Sequence, residues 1–145
     1  MIETVSEVTP QLVSEFNALL PELSSSARPL TERELKNIVD SPCTTLFVAR
    51  NECGTVVGSL TLVTFRIPTG QRAWIEDVVV TSKCRGLGIG ESLCKAAIER
   101  AGELGAVSVD LTSRPSRIAA NRLYQKLGFN PRETNVYRLA KVGAG

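Results

Sequence analysis

A run of β-branched residues that breaks into glycines and resumes as a helix is the strongest constraint on this chain. The stretch from Trp74 to Leu104 has IEDVVVTSKCRGLGIGESL at its centre. Ile75 to Val80 holds four β-branched residues in six, a composition suited to a pleated, largely buried strand. Arg85, Gly86, Gly88 and Gly90 follow as a basic turn too tight for bulky side chains. Ile89, Leu93, Ala97, Ala101 and Leu104 then recur at helical spacing, with Glu91, Ser92, Lys95, Glu99 and Glu103 on the other side. A helix that starts directly after such a loop presents unpaired N–H groups at its positive end. Those donors, with Arg85 beside them, suit an anion such as a pyrophosphate. The loop has neither the Lys-Ser/Thr ending of a nucleoside-triphosphate site nor the GxGxxG spacing of a dinucleotide turn.

Composition narrows the field around that feature. The length of 145 residues makes one domain, 1–145, the default and leaves enough chain for a hydrophobic core. A net charge of +2, with no basic run, gives no case for nucleic acid. The chain has no histidine, and Cys43, Cys53, Cys84 and Cys94 form no Cys-x-x-Cys pair, so no metal site is expected. A histidine-activated serine or cysteine nucleophile is excluded within the chain. No signal-like N-terminus and no apolar stretch near the ~20 residues of a membrane span are found, and a cytoplasmic, reduced setting is expected.

Strands are expected at Ile2 to Val8, Thr45 to Arg50, Thr55 to Arg66, Ile75 to Val80, Ala106 to Leu111 and Asn135 to Lys141. Thr9-Pro10 opens a first helix with Leu12, Phe16, Leu19 and Leu20 on one face, and Pro21 is expected to stop it. Thr31-x-x-Glu34 is a capping box for a second helix carrying Leu35, Ile38 and Val39 inward. Ile118 to Leu127 is a late helix, closed by Gly128-Phe129. The order β-α-α-β-β-β-α-β-α-β predicts an α/β (α+β) fold, a mixed sheet flanked by helices, with a parallel crossover between the central strand and the one after its helix.

Arg85-x-x-Gly88-x-Gly90 after a valine-rich strand resembles the acetyl-CoA-binding motif of the GNAT superfamily of N-acetyltransferases, and the element order is similar over nearly the whole chain. Ile75-Glu76-Asp77 followed by Val78 to Val80 looks like the glucosamine-6-phosphate acetyltransferase branch. The resemblance implies a mostly antiparallel sheet with CoA held between two splayed parallel strands. It further implies that the backbone of Val78, Val79 and Val80 pairs with the pantetheine arm. The main chain of Arg85, Gly86, Leu87, Gly88, Ile89 and Gly90 would cradle the pyrophosphate. The run Ala-Asn-Arg-Leu-Tyr-x-x-x-Gly-Phe, from Ala120 to Phe129, resembles the family's second CoA-contacting motif. Tyr124 is then the phenol that returns a proton to the departing thiolate.

Where the family often has Asn, this chain has Arg117, so the contact falls to Asn121 or Arg117. Glu76 would be the base for an ammonium substrate, directly or through water. Its bland alternative is a charge partner near a strand end. In a regular strand Glu76 and Asp77 face opposite sides. Arg114 and Arg117 would hold an anionic group or stand as an exposed basic turn. The implied activity is acetyl transfer from acetyl-CoA to the primary amine of a small substrate. The rival is a non-catalytic CoA-binding regulatory module. A homodimer, paired or exchanged through Asn135 to Lys141, follows by analogy with the same branch.

Overall fold

The computed structural model describes residues 1–143. Five strands form one sheet in the order β1-β2-β3-β4-β5: Ile2–Thr4, Thr44–Arg50, Val56–Ile67, Gly70–Val80 and Ser108–Asp110. The first four pair antiparallel, and β4 pairs β5 parallel. Four helices cover the sheet: α1 (Pro10–Leu23), α2 (Glu32–Asp40), α3 (Ile89–Glu103) and α4 (Ile118–Lys126). A single 3₁₀ turn, Ser82–Cys84, links β4 to the glycine loop.

The helices begin where their caps predict. Thr9 Oγ1 accepts the N–H of Leu12, with Pro10 opening α1. At α2 the capping box is complete: Thr31 Oγ1 accepts from the Glu34 N–H at 3.1 Å, and Glu34 Oε2 accepts from the Thr31 N–H at 2.8 Å. Pro21 does not stop α1. It sits in the last turn, where its missing N–H removes the bond to the Asn17 carbonyl without ending the helix, which closes three residues later through the Ser24 N–H donating to the Leu20 carbonyl at 2.9 Å.

Two apolar layers sandwich the sheet. Leu60, Leu62, Ala73 and Ile75 pack with Leu93, Cys94, Ala97 and Ala101 of α3 and with Tyr124 of α4. Leu46, Val48, Val56 and Val79 pack with Leu12 and Leu19 of α1 and Leu35 of α2. α3 comes close to the sheet because Gly58 lies beneath it. A Cβ there would stand 3.1 Å from the Val79 carbonyl and 3.3 Å from both Ile89 Cγ2 and Leu93 Cδ1. Cys94, fully buried in this layer, has its thiol pushed up to about 11 by desolvation, so it packs as a small apolar group.

Three expectations need correction. The first strand spans Ile2–Thr4, short of Val8. β4 starts at Gly70, because Pro68-Thr69 is a two-residue turn between Ile67 and Gly70 rather than a longer connection. The segment Asn135 to Lys141 forms no strand. It lies exposed, with Val136, Tyr137 and Leu139 at 73%, 87% and 83% of their full surface. Its β-branched and aromatic composition is that of a strand, but within the one chain it pairs with no neighbour.

Candidate active site

The geometry of the site follows from how β4 is paired on its two sides. β3 accompanies it from Gly70 to Val80. β5 accompanies it only over Arg72, Ala73 and Trp74, opposite Ser108, Val109 and Asp110. Beyond Trp74 the strands part, and the β5 side of β4 has no strand against it from Ile75 to Val80 among the described residues. Unpaired strand edges are templates for another extended chain.

A bulge sits at the start of that free edge. Thr61 pairs with Glu76 and Ser59 with Val79, so β4 has one residue more than β3 across this step. Asp77 takes φ +50, a left-handed value that only a few per cent of non-glycine residues adopt. The extra residue shifts the alternation. Ala73 and Ile75 face α3 before it, whereas Val78 and Val80 pack on that layer after it and Val79 joins the opposite one. The simple alternation expected for Glu76 and Asp77 therefore breaks at this pair, and both carboxylates are exposed.

The free edge opens into a cavity of about 460 Å³. Its walls include Val78, Val79, Val80, Arg85, Gly86, Gly88, Ile89, Gly90 and Tyr124, nine of the residues that the sequence singles out. Gly86 and Gly88 have φ of +79 and +78 with nothing within 4 Å of an added Cβ, so glycine is needed there for its backbone rather than for space. Gly88 is the N-cap of α3 and offers no side chain to the first-turn N–H groups. Arg85 is largely exposed, its Nε donating to the Val80 carbonyl at 3.3 Å and its Nη2 lying 3.9 Å from Glu22 Oε1. An extended chain ending in a diphosphate fits these parts: strand edge, cationic side chain, uncapped helix start.

Tyr124 closes the far wall. It is 6% exposed, its ring meets Phe129 edge-on at 6.1 Å, and it also borders a second cavity of about 620 Å³ between β5 and the end of α4. Burial raises its phenol above the ordinary value, helped by neighbouring Cys94 and opposed in part by Arg117. The phenol is thus protonated at neutral pH, the form that can donate.

Other expected residues fall elsewhere. Leu87 is 72% exposed and outside the lining. Asn121 faces the second cavity, and its amide donates to the carbonyls of Arg114 and Arg117 at 2.9 Å each, bracing the loop before α4. Arg117 lines the first cavity. Glu76 borders neither cavity. Arg66 and Arg72 stand at the β3–β4 turn, the end of β4 remote from the valines, and border neither cavity.

Cys84, Leu123 and Glu22 also line the first cavity, and what sequence reasoning did not place is the contact of Glu22 with the loop. Glu22 Oε1 accepts the Ser82 N–H at 2.8 Å. That bond, then the Thr81 hydroxyl, with Arg85 last, holds its carboxyl below the usual carboxylate range. The available signal was an acid in the last turn of a helix, where the dipole disfavours it.

A mostly antiparallel sheet that splays at β4 and β5 over a glycine-loop cradle defines a class of acyl-group transferases. Over residues 10–129 the chain matches the model of the acetyltransferase (GNAT) family, and it belongs to that family. A glucosamine 6-phosphate N-acetyltransferase from Trypanosoma brucei brucei is 34% identical over 116 residues, which is 75% of this chain and 77% of the relative. Among solved structures, a putative acetyltransferase from Agrobacterium tumefaciens superposes with TM-score 0.84 at 25% identity, over 96% of this chain and 99% of the other. A protein from Bacillus halodurans described as a transcriptional regulator superposes with TM-score 0.80 at 28% identity, over 96% and 98%. Among the described residues no helix is long and apolar enough to cross a membrane.

Proposed function

We propose that the chain, acting as one cytoplasmic domain, transfers the acetyl group of acetyl-CoA to the primary amine of a small substrate. The observation that carries this is the free β4 edge leading through the glycine loop to an uncapped, glycine-started helix, with a buried phenol across the gap. The backbone of Val78, Val79 and Val80 takes the pantetheine arm as an added strand, and the main chain from Arg85 to Gly90 takes the diphosphate. The N–H groups beside the bulge polarise the thioester carbonyl. The amine, having lost a proton to Glu76 directly or through water, bonds to the carbonyl carbon. The C–S bond breaks, Tyr124 gives its proton to sulfur, and the second proton leaving the nitrogen as the amide forms restores the phenol. With no histidine in the chain, direct attack is simpler than a covalent enzyme intermediate.

The Trypanosoma relative's name makes an amino-sugar phosphate one acceptor to test, alongside polyamines, amino acids and short peptides. With Arg66 and Arg72 at the far turn, Arg117, which lines the first cavity, is the better-placed cation for an anionic acceptor. Free-thiol release from acetyl-CoA across this panel tests the proposal. Transfer to small amines supports it, and transfer to peptides alone overturns the small-substrate part.

A second reading, a CoA-binding regulatory module, is favoured by the Bacillus halodurans structure described as a transcriptional regulator. Tight acetyl-CoA binding with no transfer to any amine decides for it. No nucleic-acid or membrane partner is proposed. A homodimer is, because Val136, Tyr137 and Leu139 are bare and the outer edge of β5 is a strand edge of the same chain, so reciprocal exchange would cover both. Light scattering giving the mass of one chain would refute it.

A further inference from the structure

α1 ends on the wrong charge. Its last turn carries no basic residue, and Glu22 adds a carboxylate to the negative end of the helix. The position makes sense only through a partner 60 residues away, the Ser82 N–H, held at 2.8 Å. That N–H opens the 3₁₀ turn Ser82–Cys84, whose own N-cap, Thr81, makes no side-chain capping bond. Glu22 thus supplies from another element the cap that the local sequence lacks. The same oxygen lies 3.9 Å from Arg85 Nη2, and Glu22 shares the cavity wall with Arg85, Gly86 and Gly88. A loop suited to a doubly charged diphosphate is therefore pinned by a further negative charge, placed on the guanidinium that faces the ligand.

We propose that Glu22 is a positioning residue with two opposed effects: it holds the diphosphate loop in shape, and its charge weakens the grip of that loop on CoA. The inference rests on the CoA reading of this cavity. On binding, Arg85 exchanges Glu22 for a phosphate oxygen while the Ser82 N–H stays with Glu22. The repulsion that remains favours departure of the product, CoA.

Glu22→Gln separates the two effects, because the amide oxygen still accepts the Ser82 N–H while the charge is gone. By titration calorimetry at low salt, E22Q is expected to bind CoA about fivefold more tightly than the unmodified chain, with the gain shrinking as salt screens the charge. Pantetheine, which has no diphosphate, is expected to bind both proteins equally. Glu22→Ala loses the cap as well, so its gain is expected to fall short of that of E22Q. Equal or weaker CoA binding by E22Q, or the same change for pantetheine, overturns the electrostatic role. An E22A gain matching that of E22Q overturns the loop-holding role. Failure of the unmodified chain to bind CoA at all is a distinct result, and it removes the functional reading together with this one.

Discussion

β4 is paired along its whole length on one flank and over three residues on the other. The β3 flank is a structural seam: it binds two strands and carries the apolar layers on both faces. The β5 flank is a seam left open, and everything chemically distinctive gathers at the opening: the bulge, the glycine loop, the start of α3 and Tyr124. Under the proposed function, stability and chemistry thus fall to opposite edges of a single strand. Substitutions on the two flanks should consequently register in different measurements.

The largest effect is expected on the closed flank. Leu60 lies under the bulge at 0% exposure, and Leu60→Ala should cost about 2–5 kcal/mol, read as a lowered urea midpoint. On the open flank, Tyr124→Phe removes one hydroxyl and should reduce turnover about a hundredfold, with CoA affinity nearly unchanged. Single-turnover kinetics check this, and an unaltered rate with chemistry limiting removes Tyr124 from the mechanism. Gly88→Val forces a β-branched side chain into a left-handed N-cap at φ +78. The strain, roughly 1–2 kcal/mol, should appear as about a tenfold loss of CoA affinity as the loop moves. A variant that binds CoA normally would break the assignment of function to this edge.

A smaller change tests the periphery. Thr31→Ala deletes half of the α2 capping box and should cost about 1 kcal/mol of stability without touching CoA binding. The smallest effect is a pH dependence at the same cap. Glu34 is held at about 2, below its ordinary 4.5, by Arg28 first and then by the Thr31 N–H. A depressed carboxylate stabilises the fold above the unfolded value, so this contribution is present above pH 4.5 and is lost as pH falls toward 2. Glu34→Gln should flatten that limb of the stability curve.

The parts legible in sequence were those whose signals are local. The capping box at Thr31, the helical spacing from Ile89 to Ala101 and the tight glycine turn each depend on residues within a few positions. So does the cavity wall from Val78 to Gly90, since one strand-loop-helix unit builds it. What escaped depends on partners far along the chain. The bulge at Asp77 exists only against Leu60, and no composition rule distinguishes it from a regular strand residue. Glu22 reaches a loop 60 residues later. Pro21 misled because its effect depends on how near the helix end it falls. The bonds from the Asn121 amide to two carbonyls of its own loop also depend on how that loop folds back. The stretch from Asn135 to Lys141 carries a strand's composition without a strand's neighbour, since pairing is a property of two segments.

The single added residue at Asp77 makes β4 a strand with two phases. Sequence columns before it and after it must be compared with opposite parity, so a variant that conserves odd-numbered apolar positions throughout would be half wrong. Deleting Asp77 would remove the bulge and leave the next three valines as they are, Val78 and Val80 toward α3 and Val79 away from it, in register with β3. Deleting two would turn the remaining valines over, sending Val79 toward α3 and Val80 away from it. Loop length at the far turn is free of this rule. Tolerance to insertion and deletion along β4 should therefore be quantised, permissive at Pro68-Thr69 and selective by even and odd number at Asp77.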